Sequence, residues 1–199
     1  MVSASYDEFL EFLSIIVPNG AFTTRLAQCV SSDTIHIEKQ PYGYLTTGRF
    51  VGGRDLWMFA SGTGVAPFLS ILRDPEVWER FDNLVLAYSV REAKDLVYRG
   101  EIAALTQTEL FAPQAHKLRF VPVVTREIIP GALQQRLTTL VKNQELERFV
   151  SLPLDQDRAR ILVCGNPQML DEMRDLLTER GFRPDRSREP GNFAFENYW

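Results

Sequence analysis

Histidine, cysteine and long apolar runs are all scarce in this chain, and each scarcity excludes a class of function. Two cysteines, Cys29 and Cys164, and two histidines, His36 and His116, occur among 199 residues. None of them has the spacing of a metal-ligand set or a catalytic triad, so we expect no metal site. No apolar run is long enough to cross a bilayer, and the first residues carry neither the basic nor the apolar segment of a secretory signal.

The overall charge is low and negative. The formal net charge is −4 at pH 7, which argues against general nucleic-acid binding and requires any basic site to be local. Hydrophobic residues make up 45% of the chain, which is enough for a substantial core. Two cysteines far apart in sequence are typical of a reducing compartment, so we expect a cytoplasmic protein that does not insert into membranes.

The most informative motif covers residues 57–67. It opens with Trp-Met-Phe-Ala, an apolar run typical of a parallel strand that is buried on both faces. Gly62 and Gly64 permit positive φ and close approach to the backbone, and Pro67 suits the first turn of a helix. The pattern favours a helix start with free amides that binds a phosphate, although an ordinary tight turn would carry the same glycines.

A second turn of the same kind follows about a hundred residues later. A β-branched run ends in Cys164 and Gly165, and Asn166 and Pro167 then begin an amphipathic helix predicted over residues 168–180. Both motifs place small and polar residues at the carboxyl end of a strand, which is where open α/β sheets bind ligands. We therefore expect the two turns to share one crevice.

Strands and helices alternate through residues 51–199. The predicted strands are residues 56–60, 84–89, 118–124 and 161–164, with a short edge strand at 192–198. The predicted helices are residues 66–73, 93–110, 132–141, 145–149 and 168–180. This alternation predicts an α/β domain, a parallel sheet with helices on both faces.

Residues 1–50 have a different pattern. Residues 9–17 are strand-like, a Pro-Asn-Gly turn follows, and residues 34–39 alternate like a half-buried antiparallel strand. About three strands in fifty residues cannot close a barrel. We predict that this region is an incomplete antiparallel β-barrel segment, a first domain of residues 1–50 beside a second of residues 51–199.

Four segments together resemble the bacterial branch of the flavin-dependent ferredoxin–NADP reductase family. They are Ser-Gly-Thr-Gly-Val-Ala-Pro at 61–67, Cys-Gly-Asn-Pro-Gln-Met at 164–169, the ending Glu-Asn-Tyr-Trp at 196–199, and Pro-Asn-Gly-Ala-Phe-Thr-Thr-Arg-Leu at 18–26. The last resembles the turn with which that family contacts the FAD pyrophosphate. The resemblance covers essentially the whole chain and implies FAD and NADP(H) as cofactors.

One motif of the resembled family does not occur. In that family an Arg-x-Tyr-Ser motif, whose tyrosine stacks on the flavin and whose arginine meets the FAD phosphates, belongs directly before a segment like residues 2–5. About half of the flavin barrel is therefore expected to be absent. The chain is then either a fragment or a reduced relative, and the sequence leaves both possibilities open.

The resemblance assigns the nucleotide contacts. Gly62, Thr63 and Gly64 are expected to hold the NADP pyrophosphate, with Ala66 and Pro67 beginning the helix behind them. The remaining positions expected to contact the nucleotide lie in the second turn: Cys164, which is expected beside the nicotinamide, and Gly165, Asn166, Pro167 and Met169. Cys164 packs near the hydride-transfer carbon in this reading, and a buried structural cysteine is the alternative.

Three arginines are candidates for the 2′-phosphate of NADP. Arg91 ends the second predicted strand, where an NAD-type site would have a carboxylate, and Arg126 and Arg136 match arginines that the resembled family uses. A guanidinium suits a phosphate dianion. Glu92 and Glu127 lie directly beside two of these arginines and weaken their field. The alternative is that all three are solvated surface cations.

The flavin contacts also follow from the resemblance. Gly20 shapes the turn, the Thr23 hydroxyl and the Thr24 amide meet the FAD pyrophosphate, and a simple hairpin turn is the alternative. Tyr198 covers the isoalloxazine and Trp199 lies against the adenine. Glu196 is a candidate proton relay, and a plain surface carboxylate is its alternative.

The implied activity is electron transfer between NADP(H) and ferredoxin or flavodoxin through FAD. An acidic protein partner requires a local basic patch, to which Lys39, Arg49 and Arg54 are candidate contributors. The competing hypothesis is a redox-inactive NADP(H)-binding module that does not retain FAD. Its incomplete sheet would expose unpaired edges and favour self-association.

Overall fold

Five parallel strands form one sheet at the centre of the molecule. The computed structural model describes residues 1–40, 43, 45–186 and 189–197. The strands are β1 (Asp55–Ser61), β2 (Asn83–Val90), β3 (Leu118–Val124), β4 (Ala159–Gly165) and β5 (Phe193–Asn197), in the order β3-β2-β1-β4-β5. Every neighbouring pair is parallel. The predicted parallel sheet is confirmed, and the predicted edge strand is β5.

The connections of this sheet leave the central strand in two directions. From β1 the chain builds β2 and then β3 on one side, and it later returns to place β4 and β5 on the other. The order of strands therefore reverses between β1 and β4. In open α/β sheets the crevice at the carboxyl ends of two such strands is the usual ligand site.

The described residues contain seven α-helices. They are α1 (Ala21–Leu26), α2 (Ala66–Leu72), α3 (Pro75–Arg80), α4 (Arg99–Leu105), α5 (Leu137–Lys142), α6 (Glu145–Val150) and α7 (Pro167–Glu179). Short 3₁₀ turns cover Thr47–Arg49, Gly62–Val65, Ala93–Asp95 and Ala112–Lys117. The longest helix, α7, has 13 residues, and no helix of the described part of the chain is long and apolar enough to cross a membrane.

Two predicted helices are shorter than expected, and two helices, α1 and α3, were not predicted. The helix predicted over residues 93–110 is a 3₁₀ turn followed by α4 in the structure. The helix predicted over residues 132–141 begins only at Leu137, as α5. Leu133 instead forms a parallel bridge with Val123, so it is not part of a helix. The missed helix α3 follows Asp74, whose carboxylate accepts a hydrogen bond from the Glu76 amide at 3.0 Å.

The sheet has an apolar core on each face. Along β1, Met58 packs on one face with the core that includes α2 and α3, while Phe59 packs on the other with α5, α6 and α7. Residues 55–60 are all buried, because helices cover both faces of this central strand. Burial on both faces explains the continuous apolar run at 57–60.

The predicted strands at 9–17 and 34–39 are not present. Among the described residues of 1–50 the structure has α1 and the Thr47–Arg49 turn but no strand. Their strand-like patterns gave the wrong prediction because a strand is stable only as part of a ladder with a neighbouring strand, and neither segment pairs with a strand among the described residues. The division at residue 50 stays a prediction.

The beginning of the chain is nevertheless anchored to the sheet domain. Val2 and Ser3 are fully buried, and the Ser70 hydroxyl donates to the Ser3 carbonyl at 2.7 Å. Arg73, at the end of α2, donates to the Val2 carbonyl at 3.0 Å and to the Glu11 carboxylate at 2.9 Å. These contacts fix residues 2–11 against α2.

Candidate nucleotide-binding site

The two predicted turns are joined by a hydrogen bond. Ser61 is the last residue of β1, and Asn166 directly precedes α7. The Ser61 Oγ accepts a hydrogen bond from the Asn166 amide at 2.9 Å. The Asn166 side chain in turn caps α7, because its Oδ1 accepts from the amides of Gln168 at 2.9 Å and Met169 at 3.4 Å. The two turns therefore form one continuous edge of the sheet.

Glycines allow this close approach. A Cβ built on Gly64 would overlap the carbonyl of Cys164, and one built on Gly165 would overlap Ser61. Gly165 also has a φ of 146°. Neither position has room for a side chain, so both glycines are required by the packing of one turn on the other.

Gly62 has a different reason to be glycine. Its φ is 56°, in the left-handed region, and no atom lies within 4 Å of the position that a Cβ would occupy. Gly62 is exposed and Thr63 is half-buried, whereas Ala66 and Pro67 are buried at the start of α2. The exposed part of the turn is therefore Gly62 and Thr63, and the buried part packs the helix on the sheet.

A cavity of about 340 Å³ lies where this turn faces the N-terminal region. Thr63 and Ala66 line one side and Thr23 lines the other. The remaining lining residues are Met1, Leu13, Ser14, Ile15 and Val17. The structure thus brings together the two motifs at 18–26 and 61–67, with hydroxyl and apolar side chains on its walls.

The segment at 18–26 is helical. Gly20 precedes α1, and a Cβ there would lie only 2.8 Å from the Thr23 Oγ1. That Oγ1 accepts from the Val17 amide at 3.0 Å, so its own hydrogen can still be donated elsewhere. The Thr24 amide already donates to the Gly20 carbonyl at 3.2 Å. The hairpin alternative is wrong, since the residues after the turn form the first turns of α1.

Cys164 is buried on β4, between Ala60 of β1 and Glu196 of β5. Burial, followed by the nearby Glu196 carboxylate, raises the pKa of the Cys164 thiol from 9.0 to about 12. The thiol therefore keeps its proton at neutral pH, which excludes a thiolate nucleophile at this position. A small, neutral, apolar group is what this side chain presents.

Glu196 connects β5 to the segment before β1. One of its carboxylate oxygens accepts from the Leu45 amide at 3.0 Å, and the side chain is half-buried. A plain surface carboxylate is therefore not the right description. Tyr198 and Trp199, which follow β5, lie outside the described residues.

Arg91 and Arg126 lie side by side at the carboxyl ends of β2 and β3. The Arg126 amide donates to the Arg91 carbonyl at 3.0 Å. Both side chains are exposed, and within the described residues neither guanidinium forms a hydrogen bond or an ion pair. Arg136 differs, because its guanidinium lies 3.9 Å from the Glu172 carboxylate of α7. The structure brings two of the three predicted cations together, and it pairs the third with a carboxylate.

Comparison with known proteins matches this chain to a domain family and to named relatives. The sequence profile of the oxidoreductase NAD-binding domain matches residues 58–175. A ferredoxin–NADP reductase A of Sorangium cellulosum is 40% identical, over 98% of this chain and 71% of that protein. The chain belongs to the ferredoxin–NADP reductase family. A ferredoxin–NADP reductase of Azotobacter vinelandii is 38% identical, over 98% of this chain and 77% of its own length.

A solved structure of the ferredoxin–NADP reductase family has the same fold. The crystal structure of a ferredoxin NADP⁺ reductase from Neisseria gonorrhoeae, with bound FAD and NADP, matches with a TM-score of 0.92 and 36% sequence identity. The structural match covers 100% of this chain and 78% of the Neisseria gonorrhoeae chain. The similarity therefore includes residues 1–50, where this chain has no strand among the described residues.

Two of the predicted docking cations are paired within the molecule. The Arg49 Nε lies 2.6 Å from the Asp185 carboxylate, and an Arg54 guanidinium nitrogen lies 2.6 Å from Asp82. Their charge is therefore largely compensated. Lys39 is exposed, and it stays a prediction as a contact for an acidic partner.

Ser61 is the site residue that the sequence interpretation missed. It was quoted as part of the glycine motif, but its hydroxyl is what joins the two turns. A serine at the end of a buried strand, directly before Gly-x-Gly, is the only local signal for this role. Its partner at 166 cannot be inferred from that signal, because the pairing of β1 with β4 is a property of the sheet.

Proposed function

We propose that the edge formed by the two turns binds NADP(H), with Gly62, Thr63 and Gly64 around the pyrophosphate. The observation that carries this proposal is the Ser61–Asn166 hydrogen bond at the point where the strand order reverses. Gly62 has no Cβ, its positive φ favours glycine, and the space around it is open, so its backbone is accessible to a phosphate. Ala66 and Pro67 support the turn from behind.

The nucleotide is proposed to carry a 2′-phosphate. Arg91 and Arg126 are neighbouring exposed cations without an intramolecular ion pair in the described part of the chain, and a phosphate dianion would supply the missing partner. Arg136 would join them if its guanidinium left the Glu172 carboxylate, 3.9 Å away, and contacted the phosphate instead. A 2′-phosphate fits these guanidinium groups better than a ribose hydroxyl does, since a hydroxyl offers no charge.

FAD is proposed to occupy the cavity between α1 and the start of α2. The residues fit this group, because the Thr23 hydroxyl retains a hydrogen for a pyrophosphate oxygen and apolar side chains line the rest. Gly20 leaves room for Thr23. The proposed contact from Thr24 requires its amide to exchange the 3.2 Å bond to Gly20. From the family resemblance, Tyr198 is proposed to cover the isoalloxazine and Trp199 to lie against the adenine.

A bound FAD would supply hydride acceptance from NADPH and release of single electrons, which is chemistry that belongs to the cofactor. The protein's part is placement. Cys164, with Gly165, Asn166, Pro167 and Met169, forms the wall on which the nicotinamide is proposed to lie. The thiol of Cys164 is buried and protonated, so it lies beneath the surface of this wall and adds no charge to it. Glu196, one strand away, is the proposed proton relay.

The reaction proposed for the complete site is electron transfer between NADP(H) and ferredoxin or flavodoxin through FAD. Relatives named ferredoxin–NADP reductase support it. The protein partner would be acidic, and Lys39 is the candidate contact whose charge is exposed.

A second candidate function is favoured by the N-terminal region. Residues 1–50 lack strands among those described, and they expose large apolar side chains, for example Phe9 at 64% and Phe22 at 70%. A chain in this state would bind NADP(H) without retaining FAD, and it would self-associate through the apolar surface. Light scattering would detect this association, and a monodisperse monomer would contradict it.

The deciding experiment is the visible absorption spectrum of the purified chain, recorded before and after addition of FAD and then NADPH without oxygen. A flavin band that bleaches with NADPH supports the reductase proposal. Measurable NADPH binding without a flavin band supports the nucleotide-binding module. Thr23→Val should weaken FAD binding, whereas Thr139→Val, an exposed control on α5, should leave it unchanged.

A further inference from the structure

The turn after β2 carries an unusual concentration of charge beside Arg91 and Arg126. Its sequence is Glu-Ala-Lys-Asp, and Ala93–Asp95 form a 3₁₀ turn. The pKa of the Glu92 carboxyl is lowered mainly by Lys94 and, to a smaller extent, by the nearby Arg126. A carboxylate therefore lies beside the two arginines that are proposed to meet a phosphate.

The carboxylates of this turn are held in place by the backbone. Glu92 and Asp95 form a reciprocal capping box, in which each side chain accepts from the other residue's amide. The Asp95 carboxylate accepts from the Glu92 amide at 3.3 Å. The Glu127 carboxylate accepts from the Ala93 amide at 3.0 Å, which turns it toward the same loop. These hydrogen bonds hold the negative charges of Glu92, Asp95 and Glu127 at the loop.

Lys94 is the one basic residue of the four in this turn, and it faces all of these carboxylates. Its Nζ lies 2.6 Å from the Glu92 Oε2, and the neighbouring Asp95 and Glu127 also act on it. The side chain is 77% exposed, so it contributes little packing. Its position is explained by charge compensation.

We infer that Lys94 is a specificity-determining residue for the 2′-phosphate, acting by neutralising Glu92 so that the field at Arg91 and Arg126 stays positive. The inference rests on the proposed function of that pair of arginines. Without Lys94, the Glu92 carboxylate would repel a phosphate dianion and compete for the arginines. A nucleotide without the 2′-phosphate brings no charge to this place, so its affinity should not depend on Lys94.

The test is a double-mutant cycle with Lys94→Met and Glu92→Gln, read by calorimetric binding of 2′,5′-ADP and of 5′-AMP, which differ only in the 2′-phosphate. At low ionic strength Lys94→Met should weaken binding of 2′,5′-ADP about fivefold, and about 1 M salt should remove most of this effect by screening. Binding of 5′-AMP should be unchanged. In the Glu92→Gln background, Lys94→Met should have no effect on either ligand. Lys142→Met, which removes the same charge from an exposed position at the end of α5, is the matched control.

Two results would overturn the inference. Unchanged binding of 2′,5′-ADP to Lys94→Met would show that the lysine has no part in specificity. An equal loss in the presence and absence of the Glu92 carboxylate would show that Lys94 does not act through Glu92. If the unaltered chain binds both ligands equally well, the proposed 2′-phosphate site itself is wrong, which distinguishes that failure from the other two.

Discussion

The Oγ of Ser61 accepts a hydrogen bond from the amide of Asn166 over 2.9 Å, although the two residues are 105 positions apart in the chain. This bond connects the end of β1 to the beginning of α7. Asn166 uses its side chain at the same time to cap that helix. One hydroxyl therefore fixes the relative position of both turns at the proposed nucleotide site.

Ser61→Ala should loosen this edge. The Asn166 amide loses its acceptor, so we expect the free energy of unfolding to fall by about 1 kcal/mol and NADP(H) binding to weaken. Urea unfolding and calorimetric titration measure the two effects. Ser32→Ala, at an exposed position of the N-terminal region, is the control and should change neither. Unchanged stability and affinity in Ser61→Ala would contradict the role of the hydroxyl.

Gly64→Ala should mainly reduce stability, whereas Gly62→Ala should mainly reduce NADP(H) binding. Gly64→Ala drives a Cβ into the Cys164 carbonyl, so we expect a loss of more than about 2 kcal/mol in unfolding free energy. Gly62→Ala meets open space and should cost only about 1 kcal/mol for its positive φ, while it obstructs the pyrophosphate. A Gly62→Ala variant that binds NADP(H) with unchanged affinity would remove this turn from the proposed site.

The double variant Arg91→Ala/Arg126→Ala should lose NADPH-dependent activity and keep NADH-dependent activity. The reason is that only NADPH presents a 2′-phosphate to these two exposed guanidinium groups. Steady-state kinetics with both nucleotides measure the ratio. Arg148→Ala/Arg183→Ala is the charge-matched control, since these exposed arginines form no ion pair within the described residues. Equal loss with both nucleotides would count against the 2′-phosphate assignment.

The stability of the fold should decrease in alkali partly because of Cys164. The folded thiol, with its pKa raised by burial to about 12, keeps a proton that the unfolded thiol loses above its ordinary value of 9.0. The unfolded state then binds fewer protons, so raising the pH favours it, by about 1 kcal/mol between pH 9 and pH 10. Urea unfolding over this range should show a smaller decrease for Cys164→Ala. Cys29→Ala, at the exposed cysteine, is the control and should decrease like the unaltered chain.

Arg73→Met should release the beginning of the chain from α2. Arg73 donates to the Val2 carbonyl and to the Glu11 carboxylate, so its removal should cost about 2 kcal/mol of local stability. Hydrogen exchange in residues 2–17 should accelerate. Arg174→Met removes an exposed ion pair with Asp171 and a contact with the Phe195 ring, both made by α7, and should not change exchange in residues 2–17. Equal exchange rates in both variants would show that the segment is held by its apolar contacts alone.

Local sequence was a good guide where both faces of an element are buried. The strands β1 to β4 and the helix α7 were predicted within a few residues, because continuous apolar runs and a 3.6-residue period are direct results of burial. The same reasoning gave the wrong answer at 9–17 and 34–39. Those segments have the composition of strands, but a strand also needs a partner, which composition cannot supply.

The sequence by itself determined the strand–turn–helix units of this protein, including the positions at which glycine, proline and asparagine interrupt them. These are local properties, since they depend on the conformational freedom of single residues and on the period of the apolar side chains. Only the tertiary structure decided that Ser61 meets Asn166, that Arg136 lies near Glu172 while Arg91 and Arg126 remain unpaired among the described residues, and that Lys94 compensates Glu92. Such contacts depend on which strands become neighbours, and that choice is made by the packing of the whole sheet.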